Sequence, residues 1–313
     1  MLRFVLRRLG LTLVAVWGAL SAVFLVLHSS GNPAVMMAPV GASEEQIAAL
    51  GRALGYDRPL AEQYVTFFGD ALRGQFPDSL TFQQPALTVV TDRLPATLTL
   101  AATALVLACV VAAAVGLWSG AGVLRGRRPG AAREWPMGLV FLAQSVPGFF
   151  IGVLLVWIFG VRLQWLPTSG ASGAGALVLP AITLACGVVP PLARVFRNSL
   201  TGELARPYTR TGLALGMRRG RVLRHAAHGS MLPTVTVLGL EAGALLGGTV
   251  IVENVFSWPG VGQLVITALQ NEDYPLVLAD LTFLITAFVV VNLVVDLLYG
   301  VLDPRVRHSN GGH

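Results

Sequence analysis

The sequence predicts an all-α membrane protein with six transmembrane helices and both termini in the cytoplasm. Three observations carry this. Hydrophobic residues make up 54% of the 313 positions and charged residues only 12%, about half the charged fraction of a soluble domain. The apolar residues collect into runs of about 20, the length needed to cross a bilayer. The arginines collect between particular runs and avoid others.

The runs lie at roughly 9–29, 96–119, 135–161, 177–199, 231–253 and 277–301. The first follows Arg3, Arg7 and Arg8 and resembles a secretory signal. It is longer than a signal core and no small-residue cleavage pattern follows, so it reads as an uncleaved span. The third is interrupted by Pro147 and Gly148, a break tolerated where neighbouring helices or a wet cavity satisfy the freed backbone groups. With the N-terminus inside, the inner segments hold Arg125, Arg127, Arg128 and Arg133, then six arginines between Arg206 and Arg224, then Arg305 and Arg307. The short outer loops 163–176 and 254–276 hold none.

The chain therefore divides into a first span (1–30), an external segment (31–95), a five-helix core (96–302) containing a cytoplasmic loop (201–230), and a cytoplasmic tail (303–313). In the external segment Ser43 and Gln46 form a capping-box pattern, followed by Ile47, Leu50 and Leu54 at helical spacing. Leu60, Tyr64, Phe67 and Ala71 share one face of a second amphipathic stretch. Two short surface helices are expected.

Composition excludes some chemistry. All 22 basic residues are arginine, so neither a Walker A phosphate loop nor a Schiff-base lysine can be built. Cys109 and Cys186 sit in apolar runs and read as packing thiols. His225 and His228 are three apart, but two imidazoles fall short of a metal-ligand set, so no metal and no cofactor is expected. Neither an HExxH nor a GxSxG motif occurs, which argues against a membrane enzyme. An ATP-independent secondary transporter would show inverted repeats or midplane polar clusters, and none is visible.

The most informative segment is Arg206–Pro233, RPYTRTGLALGMRRGRVLRHAAHGSMLP. Physics alone leaves two readings, a solvated basic loop or a helix that docks a partner. The residue pattern resembles the EAA motif of permease subunits of ATP-binding-cassette importers, and more narrowly the dipeptide/oligopeptide/nickel permease family. Tyr208, Arg210, Thr211, Ala214, Gly216, Leu232 and Pro233 match its stretch; Gly212 replaces the usual Ala and Leu215 the usual Lys. The likeness extends over nearly the whole chain. It includes LRFVLRRLG at the start, Leu54–Leu60, Arg93-Leu94-Pro95-Ala96-Thr97-Leu98, and Ser145–Phe149 with Trp165-Leu166-Pro167. Glu253–Gly262 and Asp303-Pro304-Arg305-Val306-Arg307 complete it, while Pro77-Asp78-Ser79 departs from a Gly in the family.

The resemblance implies a type I (MetI-like) importer fold in the cytoplasmic, or inner, membrane. It implies a heterodimer with a second homologous permease, two cytoplasmic ATPase subunits, an external substrate-binding protein, and no nucleic acid. Residues 206–220 would form a coupling helix in an ATPase groove, with Tyr208, Arg210, Thr211, Ala214, Leu215 and Gly216 at the contact. The expected cargo is di- or oligopeptides, with nickel complexes, glutathione or another small solute as the alternative. For the translocation path, Pro147, Gly148 and Glu241 are the candidates. An acid inside the fifth span either faces the path or makes a structural hydrogen bond. Asp280 and Asp296 are further acids in or near spans, and Gly116/Gly120, Gly148/Gly152 and Gly243/Gly247 form small-xxx-small pairs.

Overall fold

A computed structural model describes residues 2–29, 34–35, 38, 41–53, 55–125 and 131–302. The tail 303–313, with its Asp-Pro-Arg-Val-Arg ending, lies outside the described residues, as do Arg127, Arg128 and the side chain of Asp296. Twelve helices are named here. They are α1 (Leu2–Ser29), α2 (Glu44–Ala53), α3 (Leu60–Arg73), α4 (Ala86–Leu124), α5 (Ala131–Gln144) and α6 (Gly148–Leu155), which continues as a π-helix over Val156–Arg162. After these come α7 (Val178–Ala205), α8 (Pro207–Ala214), α9 (Arg219–Gly229), α10 (Met231–Val255), α11 (Val261–Gln270) and α12 (Tyr274–Leu302). Among the described residues the only β-type pairing is an isolated bridge between Asp78 and Pro85.

Windows in α1, α4, α7 and α12 are long and apolar enough to cross a membrane. Two further spans are bent: Trp135–Gln144 with Gly148–Arg162 by 105°, and Met231–Leu245 with Gly247–Val255 by 54°. Counting each bent pair once gives six spans. The sharper bend has a clear cause. Pro147 has no N–H to donate, and the helix restarts from its carbonyl, which accepts from Phe150 at 3.0 Å and Ile151 at 3.2 Å. The milder bend falls at the Gly247-Gly248 pair, where side chains resist bending least.

The chain forms two compact units. The first comprises residues 1–98 and 259–293. Its core joins Ala86, Val89 and Val90 of α4 to Val261 and Leu264 of α11 and Leu276 of α12. Before α2 the Ser43 N–H donates to Gln46 Oε1 at 2.9 Å, and the Gln46 N–H returns to Ser43 Oγ at 3.3 Å. That reciprocal cap satisfies two donors at the helix start. Helix α3 turns Tyr64 and Phe67 onto Phe24 of α1, with ring centroids 5.2 Å and 5.6 Å apart. The apolar repeat Val261, Leu264, Val265, Ala268 makes α11 a helix with one buried face, inside a segment whose sequence reads as a short loop.

A polar knot closes the same unit. Asp273 is fully buried. One carboxylate oxygen accepts from the Ser79 hydroxyl and from the Thr81 N–H at 2.9 Å; the other accepts from the Leu276 N–H at 3.2 Å. Asp273 thus caps α12 and holds the turn 78–85 to it. Burial opposes its charge, but hydrogen bonds from Ser79 and from the backbone of Thr81, Leu80 and Leu276 outweigh that and lower its pKa.

Among the described residues the second unit comprises 99–258 and 294–302. Helix α7 is its centre and packs against α5, α6, α9 and α10. Its best apolar window is 61% buried, against 11% for that of α1, so α7 is an interior helix. Glycines let α4 approach it. A Cβ on Gly116 would lie 2.3 Å from the Phe196 ring and one on Gly120 2.8 Å from Leu200. Gly152 similarly sits against Thr183 and Phe256 at 3.2 Å. Gly148 and Gly247 meet nothing within 4 Å, so of the 148/152 pair only Gly152 is tightly packed.

Candidate functional site

Two features of the second unit carry the candidate chemistry. The first is the helical hairpin that leaves the end of α7. Arg206 adopts an extended conformation, φ −66° and ψ 150°, which the following proline favours. Pro207 then opens α8 at its first position, where a missing N–H costs nothing. The helix stops after eight residues. Gly216 takes φ +84°, its N–H donates to Leu213 O at 3.1 Å, and the Met217 N–H donates to Gly212 O at 3.0 Å. This pairing is a Schellman cap, which calls for a residue at positive φ. The resemblance implies one helix over 206–220; the glycine at 216 ends it at Ala214, and a second helix, α9, begins at Arg219.

Gly212 also has a local reason. The Met217 sulfur lies 2.9 Å from where its Cβ would stand. Met217 in turn packs on the cluster of Phe196, Leu200, Leu204, Val222 and Ala226, which fixes the hairpin to α7. Glu203 ties the inner side. It pairs with Arg206 at 3.0 Å, accepts from the Tyr208 hydroxyl at 2.8 Å, and its backbone carbonyl accepts from Thr209 Oγ1 at 3.1 Å.

The outer side carries the residues singled out from sequence. Tyr208, Arg210, Thr211, Ala214, Leu215 and Gly216 are all exposed, and Leu215 is 80% exposed. Arg218, Arg219, Arg221 and Arg224 are exposed nearby. The result is a small apolar knob in a basic field. Such a surface suits a groove with an apolar floor and acidic rim.

The second feature is the 105° bend between α5 and α6. Pro147 and Gly148 are exposed at it. Gln144, the last residue of α5, accepts at 3.0 Å from Arg194 of α7, whose guanidinium also lies 4.9 Å from the centre of the Phe141 ring. Glu241 is half-buried on α10. Among the described residues it makes no hydrogen bond or ion pair, and no group of three His, Cys, Asp or Glu could hold a metal. Sequence reasoning singled out neither Glu203 nor Gln144 nor Arg194. The signal for Arg194 was present: a cation within an apolar run is as informative as an acid.

Residues 112–308 match the family described as binding-protein-dependent transport system inner membrane component, and residues 1–101 match the N-terminal family of such membrane components. Among similar proteins, the glutathione transport system permease protein GsiC of Escherichia coli strain K12 is 35% identical over 311 residues. The protein of the same name from Salmonella paratyphi A is 36% identical over 320 residues. Each alignment covers 99% of this chain and 100% of the relative.

Proposed function

The chain belongs to the family of binding-protein-dependent transport system inner membrane components, and from that premise we propose that it lines half of a pore importing glutathione or closely related small peptides. It is a multi-pass inner-membrane permease subunit of an ATP-binding-cassette importer, a class that works with ATPase and substrate-binding partners. The observation that carries the cargo reading is the end-to-end match to two glutathione permeases. Glutathione is itself a tripeptide, so this narrows the peptide cargo rather than replacing it. The names of those relatives offer no support for a nickel complex.

In this reading a second, homologous permease completes the pore and two ATPases bind on the cytoplasmic side. The α8–α9 hairpin is the coupling element, with Leu215 as its apolar tip and the arginines complementing an acidic rim. Both termini face the cytoplasm, which the arginine distribution supports. Pro147, Gly148 and Glu241 line the path; an acid at membrane depth with no described partner in its own subunit suits a water-filled passage. Opening and closing require two packed states, each favoured by a different ligand.

Reconstitution of the full importer in proteoliposomes with its binding protein tests the proposal. ATP-dependent accumulation of labelled glutathione is expected. Accumulation of dipeptides but not glutathione would overturn the cargo, and ATP-independent accumulation would overturn the class.

A further inference from the structure

We propose that Arg194 binds a carboxylate of the transported solute as it passes the bend between α5 and α6. The inference deepens the reading above and rests on its placing that bend on the path.

Arg194 lies inside the apolar run at 177–199, five residues or about 8 Å from its inner end. A cation within such a run is costly unless it faces water or an opposite charge. Among the described residues no acidic side chain pairs with it. Its partners are a neutral amide, Gln144 at 3.0 Å, and an aromatic face, Phe141 at 4.9 Å. Two other arginines behave differently: Arg58 pairs with Glu62 and Arg206 with Glu203, both at 3.0 Å. Arg194 is also exposed, although Leu192, Ala193 and Phe196 beside it are buried in the most interior helix.

The geometry suits a planar anion. A guanidinium carries five N–H donors in its plane. The guanidinium carbon lies over the Phe141 ring, and Gln144 takes one donor. The other edge donors stay available for a two-pronged carboxylate contact, the arrangement for which arginine is better shaped than lysine. Gln144 and Phe141 both belong to the last turn of α5, so the bend itself holds the guanidinium. Glutathione and other free peptides present a C-terminal carboxylate of the required kind.

The test compares uptake of glutathione and of its glycine-amide analogue by the complete reconstituted importer. The binding protein's own preference is common to all variants, so a change in the uptake ratio between variants reports the permease. Arg194→Gln is expected to lower the acid-to-amide ratio at least about tenfold, the loss of one charge-assisted contact. Arg194→Lys should restore part of it.

An equal loss of both probes in Arg194→Gln would overturn the proposal in favour of a structural role. An unchanged ratio with activity that tracks the anionic lipid content would overturn it in favour of a phospholipid headgroup. If the wild type accumulates both probes and the variant keeps the ratio, only the role of Arg194 fails. If the wild type accumulates neither, the cargo reading fails and this proposal with it.

Discussion

Replacing Asp273 by Asn should loosen the turn 78–85 and the start of α12 together. The carboxylate accepts hydrogen bonds that include those from Ser79, Thr81 and Leu276. Asparagine can keep the cap on Leu276, since it caps about as well as aspartate. Its amide NH2 then faces the other two. The Ser79 hydroxyl can rotate and accept, but the Thr81 N–H meets a donor. Thr81 is itself exposed, so water relieves part of that penalty. Losing one charged acceptor for a partly wet N–H costs about 1–3 kcal/mol. Amide hydrogen exchange at residues 79–82 and 276 should accelerate roughly fivefold to a hundredfold by local opening. The pH dependence has a definite sign. The folded pKa is lowered, so the stabilisation is complete above the ordinary aspartate value near ~3.9 and is lost as pH falls through the lower, folded value. The Asn variant should lack this acid-sensitive step. Unchanged exchange at those amides, or an acid response identical to wild type, would refute the account.

Further outcomes follow from the second unit. At Gly216 a Cβ meets nothing within 4 Å, so substitution costs only the left-handed backbone, about 1–2 kcal/mol for an ordinary residue. Gly216→Asn, which tolerates that region, should keep solute moved per ATP near wild type, while Gly216→Arg should lower it at matched protein level; equal behaviour of the two would remove the backbone requirement. Glu241→Gln should reduce glutathione uptake with subunit assembly intact, and unchanged transport kinetics would remove Glu241 from the path. Gly116→Leu forces atoms into the Phe196 ring and should cost about 1–3 kcal/mol, read as a lower thermal midpoint in detergent.

The spans were legible because a bilayer imposes length and composition on every helix that crosses it. Their ends were less so. Helix α4 begins at Ala86, ten residues before the apolar run at 96, because hydropathy reports membrane depth and not helicity. Asp92 and Arg93 lie on helical turns beyond that run. The Ser43–Gln46 cap forms reciprocally because its partners are three residues apart, within reach of local reasoning. The Asp273 knot joins positions 194 apart in sequence, and nothing in a local pattern announces such a pair. In the hairpin, Tyr208 and Gly216 stood out by residue pattern. Glu203, which holds the inner side, was hidden at the end of an apolar helix. Arg194 sits near the inner end of an apolar run, where a basic residue also fits the ordinary inside-positive pattern.

The Ser79–Asp273 contact also sets an order of assembly. Ser79 emerges from the ribosome 194 residues before its acceptor. At 5–20 residues per second that interval lasts about 10–40 s. During it the turn around Ser79 lacks that acceptor, and the contact forms only after Asp273 has been synthesised. The turn closes on its own local hydrogen bonds early, but its tie to the start of α12 is made late.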